Sequence, residues 1–116
     1  MSSMHTEERI GEAWRLHRSG NNPAAIELFE EILAKTPKHL DALYGLGLAR
    51  RANDNVNGAR EAFQLALQLT HEALKAEDEI YAVDGHHGAN NLDTYDDDRF
   101  MMLQRMIKQR LAELDS

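Results

Sequence analysis

Leu43-Tyr44-Gly45-Leu46-Gly47-Leu48-Ala49, followed by Ala59-Arg60-Glu61-Ala62-Phe63-Gln64-Leu65-Ala66, decides how this chain folds. Shifted back by 34 residues, the same pattern returns as Ala13, Leu16 and Gly20, then Ala25-x-x-x-Phe29-x-x-Ile32 and Pro37. The matches are Ala25 with Ala59, Glu27 with Glu61, Phe29 with Phe63, Leu33 with Leu67, Asn21 with Asn55 and Thr36 with Thr70; Ala13 falls on Gly47, small on small, and Ile32 on Ala66. A fixed period of this length marks a repeated helix–turn–helix unit. Apolar residues recur at three and four positions within each half, which is the helical period.

Local signals place the elements. Thr6 is suited to cap a first helix, with Glu7 and Glu8 facing the positive end of its dipole. Gly20 suits a left-handed turn position after Ser19. Pro23 marks the first turn of the next helix, and Thr36-Pro37 ends it, because a residue before proline avoids helical geometry. A third helix is expected from about Lys38 to Ala52. The turn lies within Asn53–Gly58, and a fourth helix starts near Val56. Small residues at Ala25, Gly47 and Ala59 allow the helices to approach closely. Gly45-Leu46-Gly47 therefore reads as a packing feature inside a helix and not as a phosphate loop.

These residues resemble the tetratricopeptide repeat family over about residues 6–73. The resemblance implies an all-α fold with two helix–turn–helix hairpins stacked as a short α-solenoid. Repeat one covers about 6–39 and repeat two about 40–73. The sequence departs from the family at four places. Glu12 stands for a leucine, Arg50 for a tyrosine, Asp54 for the turn glycine and His71 for a closing proline. Without that proline, the last helix of the second hairpin is expected to run past its usual end.

A third copy does not follow. Another shift of 34 puts Asp93 at the Ala59 position, Asp97 at the Phe63 position and Tyr81 at the small Gly47 position. Residues 74–94 read as a helix extension and an acidic loop, with the loop-forming composition running through Asp84–Asp98. Phe100, Leu103, Ile107, Leu111 and Leu114 then recur at helical spacing, with Met102 and Met106 widening the stripe. Residues 95–114 read as a longer helix capping the last hairpin of a single domain.

The chain has 116 residues, no cysteine, 42% hydrophobic and 28% charged residues, and a formal charge of −7. It is a globular rather than a disordered composition. Residues 1–73 carry −2, residues 74–98 carry −7 and residues 99–116 carry +2, so the acidity lies in the connector. The balance argues against nucleic acid or an anionic membrane as the main partner, since both need a cationic face. Met1–Trp14 holds no apolar signal-peptide core, and the most apolar run, Leu43–Ala49, is far too short to span a bilayer. A soluble cytoplasmic protein is expected.

Catalytic signals are lacking. There is no cysteine, and the serines stand only at 2, 3, 19 and 116, outside any nucleophile motif. His86, His87, Asp93, Asp96, Asp97 and Asp98 are metal-ligand types, but adjacent histidines point apart and the aspartates lack calcium-loop spacing. We expect no enzyme activity, no metal and no cofactor; a metal-binding loop at 86–98 stays as the third alternative.

The family resemblance implies a concave groove lined by the first helix of each hairpin, which takes a peptide or helix of a protein partner. The groove residues would be Ile10, Trp14, His17 and Arg18 from the first hairpin and Asp41, Tyr44, Leu48 and Arg51 from the second. Trp14 could instead pack in the core; Tyr44 is expected to be the more exposed of the two. The lysine and asparagine clamp with which some family members hold a terminal carboxylate is absent here. An apolar, aromatic groove beside Arg18 and Arg51 suits an amphipathic or extended segment with acidic residues. The chain's own residues 77–98 are one candidate occupant. The competing expectation is a homodimer formed through the groove or the last helix, with Met101, Met102 and Met106 in the interface.

Overall fold

The computed structural model describes residues 5–84 and 91–115, and the side chains of 5–75 and 99–115. These residues form helices α1 (Thr6–Arg18), α2 (Asn22–Lys35), α3 (Leu40–Ala52), α4 (Val56–Asp84) and α5 (Asn91–Asp115), with no strand among them. The protein is an all-α helical repeat. The chain divides into two compact units, Met1–Ala66 and Leu67–Ser116.

In the first unit the repeat is visible in its turns. Gly20 has φ 91° and Asp54, one period later, has φ 65°, so both turns pass through the left-handed region. The Asn21 N–H donates to the Leu16 carbonyl at 2.9 Å, and the Asn55 N–H donates to the Arg50 carbonyl at 2.9 Å. Each bond closes a helix end across a left-handed residue. Asparagine at 21 and 55 then starts the next helix: the Ala25 N–H donates to the Asn21 carbonyl at 3.1 Å, and the Ala59 N–H to the Asn55 carbonyl at 2.9 Å. Asn55 adds a side-chain cap, its Oδ1 accepting from the Gly58 N–H at 2.9 Å.

The helix starts differ in detail from expectation. Thr6 is the first helical residue and not the cap; His5 precedes it in an extended conformation without a side-chain cap bond. At α3, His39 caps, its Nδ1 accepting from the Ala42 N–H at 3.2 Å. The reason is register: the acids Glu7 and Glu8 fill the first turn of α1 whether the helix starts at Thr6 or one residue later, so charge alone does not fix the cap.

The core of this unit is built on α3, in which seven consecutive or nearly consecutive residues from Ala42 to Ala49 are buried. Phe29 of α2 and Phe63 of α4 are fully buried. A methyl group added to Gly45 would overlap the Phe29 ring, and one added to Gly47 would overlap the Phe63 ring. Two positions apart on a helix point to nearly opposite sides, so α3 offers one bare patch to each phenylalanine. Ala13, Ala25, Ile32, Ala42, Leu46, Ala49 and Ala62 complete the cluster around Phe29. Arg50, standing where the family carries tyrosine, bridges helices by charge. Its Nη2 meets Glu30 Oε2 at 3.0 Å on α2, and its Nη1 donates to the Gly58 carbonyl at 3.0 Å at the start of α4.

In the second unit, α4 continues from Leu67 to Asp84 without a break. His71 in place of a proline keeps its backbone N–H in the ladder. Thr70 is fully buried, and its hydroxyl donates to the Leu67 carbonyl at 2.8 Å. In α5, Ile107 is fully buried and Phe100, Leu103, Met106, Leu111 and Leu114 are half-buried. Met102 does not widen this stripe: it is 60% exposed, and Met101 is 44% exposed. Position 102 lies more than a hundred degrees around the helix from Ile107, which turns it outward.

The stretch Asp84–Asp98 is not one loop. Helix α4 includes Asp84 and α5 begins at Asn91, four residues before the expected start. Asp93 falls in the first turn of α5, where the helix dipole favours acids, and Asp96, Asp97 and Asp98 in the second. The link at 85–90 lies outside the described residues.

Two predictions follow from the packing and the turns. Gly45→Ala and Gly47→Ala each lower stability by about 1–3 kcal/mol through overpacking, although alanine is the better helix former by about 1 kcal/mol. Urea denaturation followed by circular dichroism reads both. Gly20→Ala costs about 1 kcal/mol in its left-handed position, whereas Asp54→Gly gains about 0.5 kcal/mol by relieving the same conformation. Equal responses at the two turns would contradict their equivalence.

Candidate functional site

The site to be tested is the face formed by α1 and α3. On α1, Ile10, Trp14 and the pair His17–Arg18 follow at intervals of three and four; on α3, Asp41, Tyr44, Leu48 and Arg51 do the same. Such spacing sets each group on one side of its helix.

Aromatic rings join the two helices. Trp14 and Tyr44 lie 6.4 Å apart between ring centroids, tilted by 43°. Trp14 also meets Phe29 edge-on at 5.6 Å, and Tyr44 meets Phe63 at 5.8 Å. His17 stands 6.1 Å from Trp14, again edge-on. Such pairs contribute roughly 0.5–1.5 kcal/mol each beyond their buried area. The row His17–Trp14–Tyr44–Phe63 thus runs from α1 across α3 to α4.

Trp14 is half-buried and rests on the core around Phe29, so it serves packing and surface together. Tyr44 corrects the expectation. It is 7% exposed, held between Trp14 and Phe63. The reason lies in its neighbours: α3 is buried from Ala42 to Gly47, and the Trp14 and Phe63 rings flank Tyr44. His17 is half-buried and its Nδ1 pairs with Asn22 Oδ1 at 2.7 Å, which ties α1 to the start of α2. Ile10 is half-buried against the core. Arg18 and Asp41 are exposed, and Leu48 and Arg51 are half-buried. The described side chains therefore form a closed aromatic floor with Leu48 and two arginines accessible around it.

Arg50 was named in the sequence only as a departure, yet it joins α2, α3 and the α4 start. A buried role could have been read from its place in the repeat, opposite Leu16 of the first copy, but not the partners it finds.

Among the described residues no three His, Cys, Asp or Glu side chains come together as a metal site. His86 and His87 lie outside the described residues, and so do the side chains of Asp93, Asp96, Asp97 and Asp98. Ser19, the one serine among the described residues, donates its hydroxyl to the Leu16 carbonyl at 2.9 Å. No helix among the described residues is long and apolar enough to cross a membrane.

No curated protein matches the chain. The family model of the tetratricopeptide repeat matches residues 10–78, which takes in both turns, all of α2 and α3 and the Phe29 and Phe63 packing. Repeats of this kind generally mediate protein–protein interaction and are typically not enzymes. With the period, the paired left-handed turns and the glycine–phenylalanine contacts in agreement with that match, the chain belongs to the tetratricopeptide repeat family.

Proposed function

We propose that the chain is a non-enzymatic interaction module that holds a helix or extended segment of a partner protein on the α1–α3 face. The observation that carries this reading is Trp14: a large aromatic side chain on α1, half-buried, braced from below by Phe29 and from the side by Tyr44. A braced aromatic group loses little freedom on binding, which makes it a good anchor. Leu48 adds apolar surface. Arg18 and Arg51 flank it and favour acidic residues in the bound segment. No cofactor, metal or nucleic acid enters this reading, and a cytoplasmic setting is compatible with it.

The experiment is a selection of displayed peptides on the immobilised chain, followed by titration of the enriched peptides. Trp14 is the chain's only tryptophan, so its fluorescence reports on this face alone. Binding is expected to shift its emission, and Arg18→Glu or Leu48→Asp is expected to weaken affinity by about tenfold or more. Full affinity in both variants, or no emission change at saturation, rejects the α1–α3 face as the binding surface. Tyr44→Ala behaves differently from these two. It removes a buried ring and costs about 3–5 kcal/mol of stability, visible as a lower urea midpoint, while Tyr44→Phe keeps most of the packing.

A further inference from the structure

Within the second unit, α4 and α5 border an open cleft of about 390 Å³. His71, Leu74 and Lys75 line it from α4, and Gln104 and Lys108 from α5. Each set follows at helical spacing, so each helix turns one side to the cleft. On both helices a nitrogen-bearing side chain, His71 or Gln104, stands four residues before a lysine. The α4 wall exists because the helix does not stop where the second repeat is expected to end. A proline at position 71 would end it there. With His71 in that place α4 runs on, and Leu74 and Lys75 stand on the added length.

The charge of this cleft runs against that of the chain. The chain carries −7, yet the lining holds two lysines, a histidine, an amide and no carboxylate. Among the described residues neither lysine makes an ion pair. Glu72, between His71 and Lys75 in sequence, is not part of the lining, and its carboxylate accepts from Gln68 Nε2 at 3.2 Å. Two ammonium groups bordering one cleft repel each other, and an anion between them replaces that repulsion with attraction. Lysines act as compact point charges and bind phosphate in that way, whereas the planar arginine fork matches a carboxylate. No arginine lines this cleft. His71 has a ring N–H in either tautomer and Gln104 an amide N–H, so each adds a donor. The volume lies at the small end of the range for small-molecule sites and exceeds a bare phosphate. Leu74 leaves apolar surface for a short carbon chain beside it.

We propose that this cleft binds a phosphate monoester carried on a small organic group. Lys75 and Lys108 hold the dianion, His71 and Gln104 donate to its oxygens, and Leu74 meets the carrier. A free phosphate ester and a phosphorylated serine of a protein present the same group. The site lies within the second unit and does not depend on the α1–α3 face. His71, Lys75 and Lys108 are exposed, so water and salt screen the charges and the affinity is modest.

Two-dimensional NMR of the full chain tests it, since amide signals report which residues meet the ligand. Glycerol 3-phosphate is one probe and a short phosphoserine peptide the other. Glycerol, the unphosphorylated peptide and succinate are the controls. At least one phosphorylated probe is expected to shift the signals around 71–75 and 104–108 saturably, and the tighter of the two identifies the source of the phosphate. Lys75→Gln and Lys108→Gln each weaken binding by about three- to tenfold, and the double variant removes it. Added salt weakens it as well. Both lysines are exposed, so the variants keep the fold, which circular dichroism checks. The proposal is overturned if neither phosphorylated probe shifts these signals saturably, or if the double variant binds as the native chain does. Succinate binding as tightly as the phosphorylated probes overturns it too.

Discussion

Two phenyl rings resting on two bare positions of one helix hold the repeat together. Gly45 admits Phe29 from the first hairpin, and Gly47 admits Phe63 from the second. Each ring is fully buried, contributing roughly 2–3 kcal/mol by removal from water. Glycine inside a helix costs about 1 kcal/mol against alanine, so the close approach must return more than that cost. Everything that α3 does follows from this arrangement. It lies between α2 and α4, it is buried along most of its length, and it carries Tyr44 into contact with Phe63.

The two turns show how a repeat tolerates substitution. Gly20 and Asp54 occupy the same left-handed position, with the same carbonyl-closing bond from the asparagine that follows. Aspartate is one of the few residues with a side chain that enters this region at modest cost. The second turn has a further support, the Asn55 cap on the Gly58 N–H. Arg50 makes a comparable adjustment. A guanidinium replaces an aromatic ring, and hydrogen bonds to Glu30 and Gly58 stand in for apolar contact. Removing it would leave the Gly58 carbonyl without this donor as well as break the exchange with Glu30.

The same economy shapes the α1–α3 face. Trp14 cannot be assigned to core or surface alone, since its edge packs on Phe29 while part of it faces outward. Tyr44 sits deeper and works as a brace. A partner segment would meet Trp14, Leu48 and the arginines and would find Tyr44 largely covered. On the proposed function, affinity would come from rigidity and apolar contact, and charge would set the choice of partner.

Much of this was legible in the amino-acid sequence. The period of 34 residues, the small–aromatic pairing and the turn residues are local or repeated signals, and local signals survive without knowledge of the fold. His71 in place of proline marked the long α4 for the same reason, because a proline's effect on the backbone is local. Depth of burial was different. By the 34-residue period Tyr44 corresponds to Ile10 and Trp14 to Leu48, yet Tyr44 is buried and Ile10 only half-buried, because Tyr44 has Trp14 on one side and Phe63 on the other, and that asymmetry exists only once the hairpins are in contact. The start of α5 at Asn91 was hidden likewise, because aspartates suit a loop and a helix N-terminus equally. The sequence by itself determined the repeat, its helices and its turns. Only the tertiary structure decided which side of each helix water reaches, since burial depends on what the rest of the chain brings against it.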